Sequence, residues 1–97
     1  MMKFEWHQPK AEYNLAKHGV SFAEAQTAFD DPYQENIPDL AHSFGELRIL
    51  CLGVSKQGRV LAVIYTMREN ITRIISARLA TRREELEYYA ARSNHID

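Results

Sequence analysis

The sequence predicts an α+β domain with two N-terminal helices, a three- to four-stranded antiparallel sheet and a C-terminal helix. Two capping boxes, Ser21 with Glu24 and Thr81 with Glu84, each open a helical segment. Between them lie three apolar, β-branched runs joined by short polar turns, the pattern of an antiparallel meander. At 97 residues the chain has the length of a single domain, residues 1–97, built on one core.

Each element has a local reason. Lys3-Phe4-Glu5-Trp6 alternates polar and apolar and reads as a short strand. Pro9 suits a helix start, because its missing N–H costs nothing in the first turn. A helix over residues 9–18 then stops at Gly19, which tolerates the left-handed conformation after a helix end. Ser21 restarts a helix, with Glu24 expected to reach back to it. Phe22, Ala25, Ala28 and Phe29 form its apolar face, and Asp30-Asp31-Pro32 ends it. Residues 33–45 read as irregular, with one edge strand near 34–38, since Pro38 is unsuited to a central strand. Runs at 46–54, 59–67 and 71–79 supply the meander, with turns at 55–58 and 68–70. The final helix runs from Thr81 to about Arg92, with Leu86, Tyr89 and Ala90 as its apolar stripe.

Composition excludes several classes. Apolar residues make up 45% and charged residues 26%, a balance that favours a folded chain over a disordered tail or a coiled coil. No apolar run approaches the roughly 20 residues of a membrane helix, and the first residues lack the apolar stretch of a secretory signal. The single cysteine, Cys51, excludes an internal disulfide and suits a reducing, cytoplasmic setting. No zinc-type spacing links His7, His18, His42 and His95, and no glycine-rich phosphate loop is present, so neither metal nor cofactor is expected.

The net charge of −1 conceals segregation. Residues 1–40 hold three lysines against seven acids, and residues 84–97 one arginine against four acids. Residues 41–83 hold eight cations, seven of them arginine, against two acids. Such a basic segment is a footprint for phosphate or for an acidic protein partner. Strand register sharpens this. If residues 55–58 and 68–70 close the hairpins symmetrically, Arg48, Tyr65 and Arg73 form one row across three strands. A one-residue slip in the second hairpin would put Arg73 on the opposite face from Tyr65.

Ordered motifs run along nearly the whole chain: Phe4-Glu5-Trp6, Lys10 with Asn14, Lys17-His18-Gly19-Val20-Ser21-Phe22, Glu24-Ala25, Phe29 and Asp31-Pro32. They continue with His42-Ser43, Glu46-Leu47-Arg48, Gly53-Val54-Ser55, Tyr65-Thr66 and Arg68. Arg73-Ile74-Ile75-Ser76-Ala77-Arg78 and Thr81-Arg82-Arg83-Glu84 complete the set. Together they resemble the BrnT family, the toxin component of a type II toxin–antitoxin pair. The resemblance implies a fold similar to RelE-type ribonucleases and cleavage of RNA without a metal. It also implies a BrnA-like antitoxin with a DNA-binding domain, so that the complex represses its own operon through operator DNA. Two toxins per antitoxin dimer are expected. One departure stands out: the family usually has Asp after the tryptophan, where this chain has His7.

RNA cleavage of this kind uses the ribose 2′-OH as nucleophile. It needs a base near that hydroxyl, cations on the phosphate oxygens and an acid at the leaving oxygen. His42, in an irregular segment before the first long strand, is the leading base from sequence, because histidine exchanges protons near neutral pH. His18 is explained more simply by its place in the last helical turn, where a cation suits the helix dipole, and His95 by a frayed end. Arg68, Arg73 and Arg78 are the phosphate ligands expected first, with Arg48 and Tyr65 beside them, since arginine grips phosphate with two parallel hydrogen bonds. A pairing of Arg78 with Glu84 or Glu46 is the competing reading. Trp6 is a candidate for base stacking, although a core-edge role suits it better. Lys10, Lys17, Arg82 and Arg83 are candidates for contacting the RNA backbone. The alternative function is a catalytically inactive toxin-like partner that forms only the repressor complex with its antitoxin. A general RNA-binding domain is a weaker third reading, because the meander lacks the aromatic pattern of an RNA-recognition motif.

Overall fold

In the computed structural model, residues 2–94 are described; His95 lies outside them. The elements are β1 (Lys3–Glu5), α1 (Gln8–His18), α2 (Phe22–Thr27) and β2 (Glu35–Pro38), then β3 (Ile49–Val54), β4 (Val60–Arg68), β5 (Ile71–Leu79) and α3 (Arg82–Asn94). Short 3-10 turns at Ala28–Asp30 and Leu40–His42 flank β2. The expected α+β order therefore holds, but the sheet differs. It has five strands in the order β1-β5-β4-β3-β2, and β1 lies parallel to β5, with Lys3 opposite Ile71. No turn joins β1 to β5, so local sequence carries no signal of that pairing.

Gly19 ends α1 in the left-handed conformation, at φ 69°, and donates its N–H to Leu15. Asn14 then does what a strand would. Past residue 73 the edge of β5 is no longer paired with β1. The Asn14 amide donates to Ala77 O at 2.7 Å and accepts from Ala77 N at 3.1 Å, fastening α1 along that edge. Ser21 caps α2 as expected, accepting from Glu24 N at 3.0 Å. Glu24 does not complete the box. Its buried carboxylate turns to Ser55 Oγ at 2.7 Å and to the Arg59 guanidinium, tying α2 to the β3–β4 hairpin. The second box closes in both directions: Thr81 N donates to Glu84 at 2.8 Å, and Glu84 N to Thr81 Oγ at 3.1 Å.

His7 stands at the N-cap of α1 without a side-chain cap, and the Gln8 side chain is turned to Trp6 Nε1 at 3.2 Å. His7→Asp should therefore raise unfolding stability by about 0.5–2 kcal/mol, read by thermal or urea denaturation. An unchanged midpoint would mean that the open cap costs nothing.

Both faces of the sheet are covered, though unequally. Behind it, Val20, Phe22, Ala25 and Phe29 from the α1–α2 region pack on Cys51, Leu61, Val63, Tyr65, Ile74 and Ala77. At Gly53 a Cβ would lie 2.7 Å from Ala28 O, so only glycine lets β3 pass this close to the end of α2. In front, α3 packs chiefly through Tyr88, which is fully buried among Leu52, Val60 and Ala62. The expected stripe is displaced: Leu86 is 57% and Tyr89 43% exposed. The cause is an anchor outside the helix, because Tyr88 OH donates to the Asp31 carboxylate. Only the end of the front face away from α3 stays open.

Both hairpins are one residue off the expected register, and both in the same sense. Ser55 N donates to Arg59 O, leaving a three-residue loop, and Val54 faces Val60 rather than Arg59. Glu69 and Asn70, both at positive φ, form a two-residue turn, so Arg68 faces Ile71. Tyr65 thus lies opposite Ile49 and Ile74, and Thr66 opposite Arg73. A bulge at Ile75 restores the alternation toward Ser76, which faces Ile64.

Candidate active-site groove

The paired shifts remove Tyr65 from the row but keep both arginines in it. Continued one residue beyond Ile49–Tyr65, the register sets Arg48 beside Thr66, whose hydroxyl donates to Leu47 O at 2.8 Å. Arg48 and Arg73, both partly exposed, then flank the buried Thr66 in one row on the front face. Two strand spacings separate the arginine backbones by about 10 Å. Tyr65 instead belongs to the rear core. Its ring meets Phe29 edge-on at 5.0 Å, its hydroxyl donates to Asn36 at 2.8 Å, and burial raises its pKa.

The cations differ sharply in what they already hold. Arg73 pairs with Glu5 at 2.6 Å, and Arg68 pairs with Glu46 at 3.1 Å on the surface. Arg78 forms a two-pronged bond with Glu84, at 2.6 and 3.0 Å. Arg83 lies 3.5 Å from Glu87 at an exposed position, and Arg82 is exposed in the same turn. The three arginines expected first as phosphate ligands are therefore each neutralised by a carboxylate of the chain itself.

Arg48 is different. Among the described residues no carboxylate pairs with it, nor with Lys10 or Lys17. These three side chains line one groove of about 450 Å³ between α1 and the open end of the sheet. Pro9, Tyr13, Asn14, His18, Ile75 and Ser76 complete its walls. Lys10, Tyr13 and Lys17 recur at i, i+3 and i+7 and so share one face of α1. The Asn14 bonds to Ala77 set that face against the sheet. Lys17 Nζ stands 5.7 Å from the centre of the Tyr13 ring.

Two further expectations are relocated. His42 does not line the groove; its ring is turned to Asp39 at 3.0 Å, with 69% of the side chain exposed. His18 does line it, half-buried at the C-terminal end of α1. Trp6 packs edge-on against Phe22 at 6.0 Å, behind the sheet and away from the groove. Sequence reasoning thus missed Tyr13 and Ser76 and took His18 for a structural residue. The spacing of Lys10, Tyr13, Lys17 and His18 along one helix face was the available signal.

The arginine–carboxylate pairs carry a pH signature. Hydrogen bonds from Arg78 hold the Glu84 carboxyl well down, at about 2 against an ordinary 4.5. A depressed carboxylate stabilises the fold above its unfolded pKa, and that stability is lost as pH falls through the folded value. Glu84→Gln should therefore be less stable than the parent at pH 7, with the difference shrinking between about pH 4.5 and 2. A constant difference across a urea-denaturation series in that window would show that the pair does not couple to folding.

Among the described residues no group of three His, Cys, Asp or Glu side chains is placed to hold a metal ion. No described helix is long and apolar enough to cross a membrane. A sequence model described as "Ribonuclease toxin, BrnT, of type II toxin-antitoxin system" matches residues 6–84. The fold is similar to the crystal structure of the Brucella abortus ribonuclease toxin BrnT, with a TM-score of 0.66 and 27% identity. That similarity spans 84% of this chain and all of the Brucella chain. No curated protein sequence matches significantly.

Proposed function

Since the chain belongs to the BrnT family of ribonuclease toxins of type II toxin–antitoxin systems, we propose that it cleaves RNA in the groove between α1 and β5, without a metal. The observation that carries this reading is the gathering of Arg48, Lys10, Lys17 and His18, none paired with a carboxylate among the described residues, around one groove. In the proposed reaction the ribose 2′-oxygen forms a bond to phosphorus as the bond to the 5′-oxygen breaks. The products are a 2′,3′-cyclic phosphate and a 5′-hydroxyl end. The 2′-OH proton leaves to a base, and the departing oxygen takes one up. His18, whose imidazole lines the groove, serves as the proton carrier. Arg48 binds the non-bridging phosphate oxygens, whose charge grows in the transition state. Lys10 and Lys17 hold neighbouring phosphates as point charges. Arg73, in the same row as Arg48, is an auxiliary cation that must exchange Glu5 for phosphate.

Neutralisation follows from the same charge. A BrnA-like antitoxin, two toxins to one antitoxin dimer, would mask the groove with acidic groups and carry the complex to operator DNA. Growth inhibition would result when the antitoxin is lost.

The deciding experiment is incubation of antitoxin-free protein with RNA in EDTA. Cleavage with 2′,3′-cyclic phosphate ends is expected. Cleavage restored only by magnesium would overturn the mechanism. No cleavage under either condition would leave a toxin-like partner that acts only in the repressor complex.

A further inference from the structure

Phosphate chemistry explains the cations of the groove but not Tyr13 and Ile75. Tyr13 is 65% exposed, a large ring left in solvent beside lysines three and four residues away. Opposite it on the sheet side stands Ile75, the residue that the β5 bulge adds between Ser76 and Ile74. A bulge re-aims the side chain it inserts. In the regular ladder Ile75 would have a partner on β4; here it lines the groove wall instead. One flat aromatic and one aliphatic side chain therefore share the groove with Lys10, Lys17 and Arg48.

We propose that Tyr13 is a base-stacking platform and that the groove takes unpaired RNA. This inference rests on the ribonuclease reading and specifies its substrate. The base of one nucleotide lies on the Tyr13 ring and against Ile75, while Lys10 and Lys17 hold the phosphates on either side of it. The next phosphate along the chain reaches Arg48. In a duplex both faces of a base are already stacked, so paired RNA cannot enter in this way. Every base has a π-face, so the contact selects for accessibility more than for base identity. Lys17 Nζ, over one face of the ring at 5.7 Å from its centre, adds attraction for the phosphate of the nucleotide that stacks there.

Binding is the readout, measured with a single-stranded 2′-deoxy oligonucleotide, which lacks the nucleophile and so is not cut. Tyr13→Phe keeps the ring and should bind within about twofold of the parent. Tyr13→Leu keeps an apolar, helix-compatible residue but no ring, and should bind roughly 5- to 100-fold more weakly, the range of one lost base–aromatic stack. An oligonucleotide of abasic residues, with the same phosphates and no bases, should bind parent and Tyr13→Leu alike. Unpaired RNA should compete better than a perfect RNA duplex.

Equal affinity of the parent and Tyr13→Leu for the ordinary oligonucleotide would overturn the proposal, as would equal discrimination on the abasic one. Absence of oligonucleotide binding by the parent would overturn it too. These outcomes separate from failure of the ribonuclease reading. A protein that binds through Tyr13 but never cuts RNA keeps the base subsite and loses the enzyme. One that cuts RNA and ignores Tyr13→Leu does the reverse.

Discussion

Arg48→Lys is expected to lower kcat by roughly 100- to 1,000-fold in single-turnover RNA cleavage, the size of effect seen when one positioned transition-state donor is lost. Lysine keeps the charge, so RNA affinity should change little. What disappears is the planar fork that grips two phosphate oxygens at once. The fold should survive, because no described carboxylate depends on Arg48 for its partner. Arg68→Lys is the contrasting case: that side chain is 54% exposed and holds Glu46 on the surface. Such a pair contributes about 0–1 kcal/mol to stability, and its loss should leave cleavage near the parent rate. Near-full activity of Arg48→Lys, with a folded but inactive Arg73→Lys or Arg78→Lys, would move the reacting phosphate to the ion-paired arginines.

The largest effect on folding is expected at Asp31. One oxygen of its carboxylate accepts from Tyr33 N at 2.9 Å. The other accepts from Val54 N at 2.8 Å and from the hydroxyl of the fully buried Tyr88. A single side chain therefore joins the end of the α2 region, the β3–β4 hairpin and α3. Asp31→Ala strands several donors at once. At about 1–3 kcal/mol for each buried group left unsatisfied, the loss should reach about 3–5 kcal/mol. That is a large part of the roughly 5–15 kcal/mol holding a typical domain. Tyr88→Phe removes one donor and leaves the other two bonds in place, so it should cost about 1–2 kcal/mol. Urea denaturation of the two variants checks the ordering. If Asp31→Ala costs less than Tyr88→Phe, the carboxylate is not the joint.

Most elements were legible because their causes are local. The helix stop at Gly19, the caps at Ser21 and Thr81, and the β-branched runs of the meander each depend on residues a few positions apart. The apolar face of α2 and of the 3-10 turn that follows it was legible for the same reason, since Phe22, Ala25, Ala28 and Phe29 are all buried. The α3 stripe was not, because a carboxylate 57 residues away chose Tyr88 as the anchor. Nor was the fifth strand, whose pairing joins Lys3 to Ile71 with no turn between them.

The candidate site divides in the same way. Composition and order were enough to separate a basic middle segment from acidic ends and to mark Arg48 and Arg73 as sharing a row, a pairing that survived because the two hairpin shifts cancel. Local sequence could not say which arginines are free to meet a phosphate. That depends on which carboxylate lies within reach after folding: Glu5 from β1 for Arg73, Glu84 from α3 for Arg78, and no described one for Arg48. Nor could it place His18 and not His42 at the groove, since the groove exists only once Asn14 clips α1 to the edge of β5. Helix caps, turns and periodicity are short-range and are written in neighbouring residues. Charge pairing and strand adjacency act through space, and for them the chain's own order carries little information.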